Sequence, residues 1–266
     1  MRRAYVSLFI CLLLSGFAFA DQGTVVYSKV FLRGVPVNVI TANLNSPDVV
    51  VTPAVARHGV GTSEGFGSML SRLQPAAAIT GTFFCMKSLI PVGDIVIEGR
   101  LVNSGCVGTA VCFTRDHAVV FNSGGPSANP NTAMHPAVVA SGPRLVRDGV
   151  FTLDPRSEGF RDRALFRQAA RTALGITANN KLILVTVKRP IYLRKLAHIM
   201  LELGAVNAVN LDGGSSTAMY YKGRILSHPG RRLTNLIVVY ETLGDYAKIK
   251  PGLAPSPVVA VTSSKS

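Results

Sequence analysis

Acidic side chains are scarce in this chain: 14 Asp and Glu stand against 28 Lys and Arg in 266 residues, a formal net charge of +14. So few acids leave few places for carboxylate chemistry, and so positive a balance draws a protein to polyanions. Interleaved aromatic and basic residues, the mark of a nucleic-acid groove, are lacking. The basic residues are dispersed, with small clusters at Arg161–Arg171, Lys188–Lys195 and Arg231-Arg232. In an envelope setting the polyanions are teichoic acid, phospholipid head groups, lipopolysaccharide or phosphorylated glycans, and nucleic acid is not an expected partner; a dispersed positive surface also serves plain solubility.

Other absences narrow the chemistry. The five histidines, His58, His117, His135, His198 and His228, form no i, i+4 pair, so no zinc site is expected. No cofactor is implied; a hard divalent cation on Asp212 and nearby backbone oxygens stays open, although one or two carboxylates make a poor cage. A Gly-x-Ser-x-Gly elbow is missing because Ala218 stands two residues after Ser216, which speaks against a serine hydrolase. Internal repeats are absent too.

Only one long apolar run exists, Ala4 to Phe19, preceded by Arg2-Arg3 and followed by Ala18-Phe19-Ala20 before Asp21. This pattern predicts a secretory signal peptide over residues 1–20, with an uncleaved anchor as the alternative. A secreted or periplasmic product without stable membrane insertion follows. Residues 21–245 read as one domain and 246–266 as a disordered Pro/Ser-rich tail. Nothing in the sequence sets the oligomeric state. Cys85, Cys106 and Cys112 remain beyond the signal peptide, and an odd number in an oxidising compartment predicts one disulfide and one free thiol. The pairing is open: Cys106 and Cys112 can meet in one local loop, with Cys85 buried beside Phe83 and Phe84.

What is present is a succession of strands. Alternating apolar residues predict strands at Thr24–Leu32, Val35–Leu44, Val49–Val55, Ala76–Thr80, Asp94–Ile97, Arg100–Val102, Cys112–Thr114, Ala118–Phe121, Pro136–Ala140 and Arg144–Phe151. Further strands are expected at Thr172–Thr177, Lys181–Val187, Val206–Leu211, Thr217–Tyr221, Arg224–Leu226 and Leu236–Tyr240. Helices are expected at Phe66–Leu73 and Tyr192–Leu203, the latter ending at Gly204. Gly124–Pro136 reads as a long loop and Pro155–Ala169 as a charged segment, helical in its second half. The fold class is α+β: a strand-rich mixed or antiparallel sheet core flanked by a few helices, in one domain.

The acids can be surveyed one by one. Most lie in turns, in the charged segment or near the ends, and Glu64 reads as a helix cap or a solvated side chain. Asp212 stands out because an apolar strand runs into it and Gly213-Gly214 follow, allowing close backbone approach; Ser215, Ser216 and Thr217 then supply hydroxyls and free N–H groups suited to an anion or a polyol. Taken alone, Asp-Gly-Gly reads more readily as a hairpin turn. Asp94, after a glycine and before an apolar strand, is the second candidate. Arg171-Thr172, a guanidinium beside a hydroxyl at a strand start, suits a phosphate.

The order of motifs carries more than any one of them. Ala77-Ala-Ile-Thr-Gly-Thr-Phe-Phe84, Ser141-Gly-Pro-Arg-Leu-Val-Arg-Asp-Gly149, Arg171-Thr-Ala-Leu-Gly-Ile176 and Asn210-Leu-Asp-Gly-Gly-Ser-Ser-Thr217 together resemble the phosphodiester glycosidase family, as a bacterial-type secreted member. The resemblance spans roughly Ala76 to Tyr240. Thr80 departs from it where the family has Asn, and Ser215 where it has a third Gly. It implies hydrolysis of a sugar-1-phosphodiester at the anomeric carbon, releasing a sugar and a phosphomonoester. In that scheme Asp212 and Asp94 are the catalytic carboxylates, while Arg171, Thr172, Gly81, Thr82, Gly213, Gly214, Ser215 and Ser216 bind substrate. A phosphodiesterase attacking phosphorus and a non-catalytic envelope glycan-binding module are the alternatives.

Overall fold

The computed structural model describes residues 23–122 and 134–254. The expected signal peptide, most of the Gly124–Pro136 loop and the tail beyond 254 lie outside the described residues. Strand β1 (Val25–Leu32) turns at Arg33-Gly34, both with positive φ (49° and 76°), into β2 (Val35–Asn43). That is the two-residue turn whose twist matches a hairpin. β3 (Val50–Val55), α1 (Phe66–Leu73) and β4 (Ala77–Thr80) follow. Then come β5 (Ile95–Ile97), β6 (Arg100–Asn103), β7 (Thr109–Phe113), β8 (Val119–Asn122) and β9 (Ala137–Ser141). β10 (Arg144–Arg147), β11 (Val150–Phe151), β12 (Ala169–Thr177) and β13 (Lys181–Ile191) lead to α2 (Leu193–Glu202). β14 (Ala205–Asn210), β15 (Met219–Tyr221), β16 (Arg224–Ser227), β17 (Asn235–Tyr240) and α3 (Leu243–Ile249) complete the α+β chain.

The strands form a seven-stranded sheet ordered β1-β2-β13-β12-β14-β10-β11 and two five-stranded sheets, β16-β15-β4-β17-β3 and β6-β5-β9-β7-β8. Every pairing within them is antiparallel. One face of each sheet meets the others in a shared core containing Ile40, Ile79, Val111, Val139, Leu174, Leu184, Val209 and Ile237. Strand alternation sends the intervening residues outward: Val39, Ala173, Ile183 and Val185 pack against Leu196, Ile199 and Met200 of α2. Helix α1 covers the second sheet with Phe66, Met69, Leu70 and Leu73.

Three expectations are corrected here. Glu64 neither caps α1 nor faces water: it is buried, and Arg72 meets its carboxylate at 2.7 Å. The thiols of Cys85, Cys106 and Cys112 are all unpaired; Cys85 and Cys106 are exposed and Cys112 is the buried one, so burial near Phe84 does not extend to Cys85. The ordered chain runs past 245, with α3 followed by Leu253, whose side chain is fully buried and whose carbonyl accepts from Val55 N. In the charged segment, only Arg163–Phe166 is helical, as a 3-10 turn started by Asp162.

Candidate active site

Four chain segments that are remote in sequence converge at one end of the large sheet. Leu211 N donates to Thr172 O (2.9 Å) and Asp212 N to Gly81 O (3.0 Å), so the residues after β14 are stitched between β12 and the end of β4. The fourth strand of the stitch is β17: Asn235 Oδ1 accepts from Thr82 N (2.7 Å), while Asn235 Nδ2 donates to Thr82 O (3.1 Å). A Cβ on Gly81 would lie 2.0 Å from Asn235 Oδ1, and one on Gly213 would lie 2.7 Å from Ala170 O. Both glycines are thus required by close approach. Ser215 is not: it is exposed, sits in the 3-10 turn Gly214–Ser216, and accepts from Gly230 N through its carbonyl. Its departure from the family glycine falls where a side chain fits.

Beside this junction lies a cavity of about 420 Å³, lined among others by Phe83, Phe84, Phe160, Arg171, Asp212, Gly213, Gly214 and Arg231. Apolar walls with a few convergent polar groups are the usual form of a ligand site. Asp212 is 8% exposed and its Oδ1 accepts from Gly213 N at 2.8 Å. Burial pushes its carboxyl up to about 6, against the pull of the Ser216 hydroxyl, the Arg231 guanidinium and the Gly213 N–H. The Ser216 hydroxyl stands close enough to favour the carboxylate without the alignment of a regular hydrogen bond.

The buried polar side-chain atoms left without a hydrogen-bond partner mark the same place. Among the described residues they are Thr82 Oγ1, Thr172 Oγ1, Asn210 Oδ1, Ser216 Oγ, Thr217 Oγ1 and Arg231 Nε, all on the segments that meet around Asp212 or, for Arg231, in contact with its field. An unmade buried hydrogen bond costs about 1–3 kcal/mol. Such a concentration at one junction is the signature of groups held ready for a polar ligand.

Of the sequence-predicted residues, Asp212, Arg171, Gly213 and Gly214 line the cavity, Gly81, Thr82 and Thr172 sit at the junction beside it, and Asp94 stands apart. Asp94 is buried but absent from the residues lining the cavity: its carboxylate accepts from Gly105 N (2.7 Å), and burial raises its pKa. Asp162, read from the sequence as part of a merely polar segment, is the second carboxylate that lines the cavity. Arg171 does line it, but as a clamp. Its Nε donates to Ile191 O, and one Nη donates to Leu165 O and Arg167 O. With no carboxylate against it, burial lowers its pKa to about 10.

The cation that sequence reading missed is Arg231. It lines the cavity, lies over the Phe84 ring at 5.6 Å, and carries an unpartnered buried Nε. Asn235 and Glu158 were missed as well. Glu158 turns inward, accepting from Arg144 N (2.6 Å) and Thr109 Oγ1 (2.9 Å), and burial raises its pKa. No local pattern announces any of these. No group of His, Cys, Asp and Glu suited to a metal occurs among the described residues.

A phosphodiester glycosidase family profile matches residues 74–240. The chain is 27% identical over 196 residues to N-acetylglucosamine-1-phosphodiester alpha-N-acetylglucosaminidase of Bos taurus, covering 62% of this chain and 36% of that protein. It is 28% identical over 173 residues to the Mus musculus enzyme of the same name, covering 57% and 33%. The chain thus spans about a third of the length of these relatives. Its fold matches a hypothetical protein from Synechocystis (TM-score 0.71, 19% identity, 80% of this chain and 61% of that one). It also matches the catalytic domain of the zebrafish enzyme, auto-inhibited by its pro-peptide (TM-score 0.66, 18% identity, 81% and 82%).

Proposed function

This chain belongs to the phosphodiester glycosidase family, and from that membership we propose that it is a secreted hydrolase cleaving a sugar-1-phosphodiester at the anomeric carbon. The products are a free sugar and a phosphomonoester, and the substrate is an envelope or extracellular glycan. The observation that carries this reading is a buried carboxylate, Asp212, and a guanidinium, Arg231, lining one cavity, with unpartnered buried hydroxyls on the segments that meet beside it.

A phosphomonoester leaves more readily than an alkoxide, so a cation at the leaving group matters more than a strong general acid. Arg231 suits that task, steadied over Phe84. Thr82, Ser216 and Thr217, with the N–H groups of Gly214 and Ser215, would hold sugar hydroxyls and phosphate oxygens. Asp212 then either stabilises the developing oxocarbenium charge or activates water, and both roles require the carboxylate. Arg171 contributes positive potential and holds the cavity wall rather than serving as the main phosphate ligand. Signal-peptide cleavage after Ala20 and release to the periplasm or exterior are part of the same proposal.

Replacement of Asp212 by Asn is expected to abolish turnover of a sugar-1-phosphodiester while the protein stays folded by circular dichroism. Full activity of that variant would overturn the assignment. Hydrolysis in ¹⁸O-water separates the bond cleaved: label in the sugar supports C–O cleavage, and label in the phosphate indicates attack at phosphorus.

A further inference from the structure

Next to the Asp212 cavity is a second one, of about 430 Å³, lined by Arg156, Arg161, Arg163 and Phe166. Arg161 lines both cavities. Three exposed arginines line this one space, and the nearby acids do not neutralise them. Asp154 Oδ1 accepts from the backbone N–H of Arg156 (3.2 Å) and Ser157 (3.3 Å), and Asp162 Oδ1 from that of Ala164 (2.8 Å). Glu158 points inward to Thr109 and Arg144. None of the three arginines lies within ion-pair distance of a carboxylate among the described residues. The segment's carboxylates shape its turns rather than pair with its arginines. Arg156 is steadied over the Phe166 ring at 5.9 Å, and the Arg163–Phe166 turn is fastened from behind by Arg171, which grips Leu165 O and Arg167 O.

We propose that this arginine cavity is an anion subsite for a second phosphate of the same substrate, so that the enzyme acts on glycan chains bearing repeated sugar-1-phosphate groups. The inference rests on the activity proposed above and deepens it: one phosphodiester occupies the Asp212–Arg231 cavity, and the neighbouring phosphate of the chain reaches the arginines past Arg161. Guanidinium forks match phosphate oxygens in geometry as well as charge.

The test compares the R156Q/R163Q variant with the wild-type full chain. The substrates are a single sugar-1-phosphodiester with an uncharged aglycone and an oligomer of the same sugar joined by repeated phosphodiesters. The expected result is a KM for the oligomer that rises at least tenfold more than that for the single unit. The wild-type preference for the oligomer should also shrink as salt is raised from about 0.05 to 0.5 M. Equal changes on both substrates, or none on the oligomer, would overturn the proposal. Calorimetric titration of the oligomer into D212N and D212N/R156Q/R163Q decides the subsite even if the wild type turns over neither substrate. A tenfold weaker binding by the second variant supports it, and equal binding refutes it. Inorganic phosphate is titrated in parallel: arginine-dependent binding of free phosphate as tight as that of the oligomer would make this a free-phosphate site and sink the chain-binding reading. The R156K/R163K variant, which keeps the charge, should recover part of the oligomer preference, whereas a merely structural role would leave it unresponsive to charge.

Discussion

At the residue scale, Asp212 stores instability that its proposed catalytic role would explain. Its carboxyl titrates at about 6 in the folded protein against an ordinary 3.8, because burial disfavours the charge. Between those values the folded chain holds a proton the unfolded chain has lost, so the contribution to stability falls as pH rises from about 4 to about 6. The full cost is about 3 kcal/mol once the group is ionised. Asp212→Asn should therefore raise the melting temperature by several degrees at pH 7.5 and leave it almost unchanged at pH 4, as differential scanning calorimetry would show. Since both proposed roles require the carboxylate, kcat/KM should climb with pH through about 6; a decline there would mean that Asp212 acts as an acid. Arg231→Gln should lower kcat for phosphate-leaving substrates by at least a hundredfold, more than Arg171→Gln lowers it per folded molecule. The sequence displayed Asp212 through its glycines, but Arg231 sits in a basic stretch with no distinguishing pattern, and its value comes from a cavity assembled by remote segments.

At the element scale, β17 holds the end of β4 through a side chain rather than the sheet ladder alone. Asn235→Ala leaves the buried Thr82 N–H without its acceptor, which should cost about 1–3 kcal/mol and reduce kcat more than tenfold by loosening the Gly81–Thr82 edge. Urea denaturation with steady-state kinetics would measure both. Strand positions, the Arg33-Gly34, Glu98-Gly99 and Asn179-Asn180 turns and both long helices were legible, because period-two apolar alternation and turn chemistry are local. Helix α1 carries a less legible element: its Arg72 forms a buried pair with Glu64, which the sequence presents as a helix cap or a solvated side chain because nothing local shows that Leu233 and the chain near Gly252 close over it. Burial alone would raise the Glu64 pKa, but Arg72, Ser68 and the Arg57 N–H together bring it below the ordinary 4.5. Its stabilisation is thus present above about pH 4.5 and is lost as pH falls through the folded value. Glu64→Gln should destabilise the protein by about 3–5 kcal/mol at pH 7, an effect that fades in acid.

At the scale of the whole molecule, three sheets close around one core without a covalent staple among the described residues. A reducing agent should leave the melting temperature unchanged. In the native protein, iodoacetamide should modify Cys85 and Cys106 but spare Cys112, which is buried and whose thiol burial pushes up to about 11. Peptide mass spectrometry reads this directly, and a disulfide between any two of them would contradict it. The sequence by itself determined the strand-rich α+β class, most strand and helix positions, the family and the Asp212 turn, because alternation, turn residues and motif order are encoded in neighbouring positions. Only the tertiary structure decided the company of Asp212. It replaced Asp94 at the cavity by Asp162, turned Arg171 into a clamp, brought in Arg231 and Asn235, and opened the arginine cavity beside them. The reason is physical: burial, convergence and unmet hydrogen bonds are properties of segments from about twenty to more than a hundred and fifty residues apart, and no local pattern can carry them.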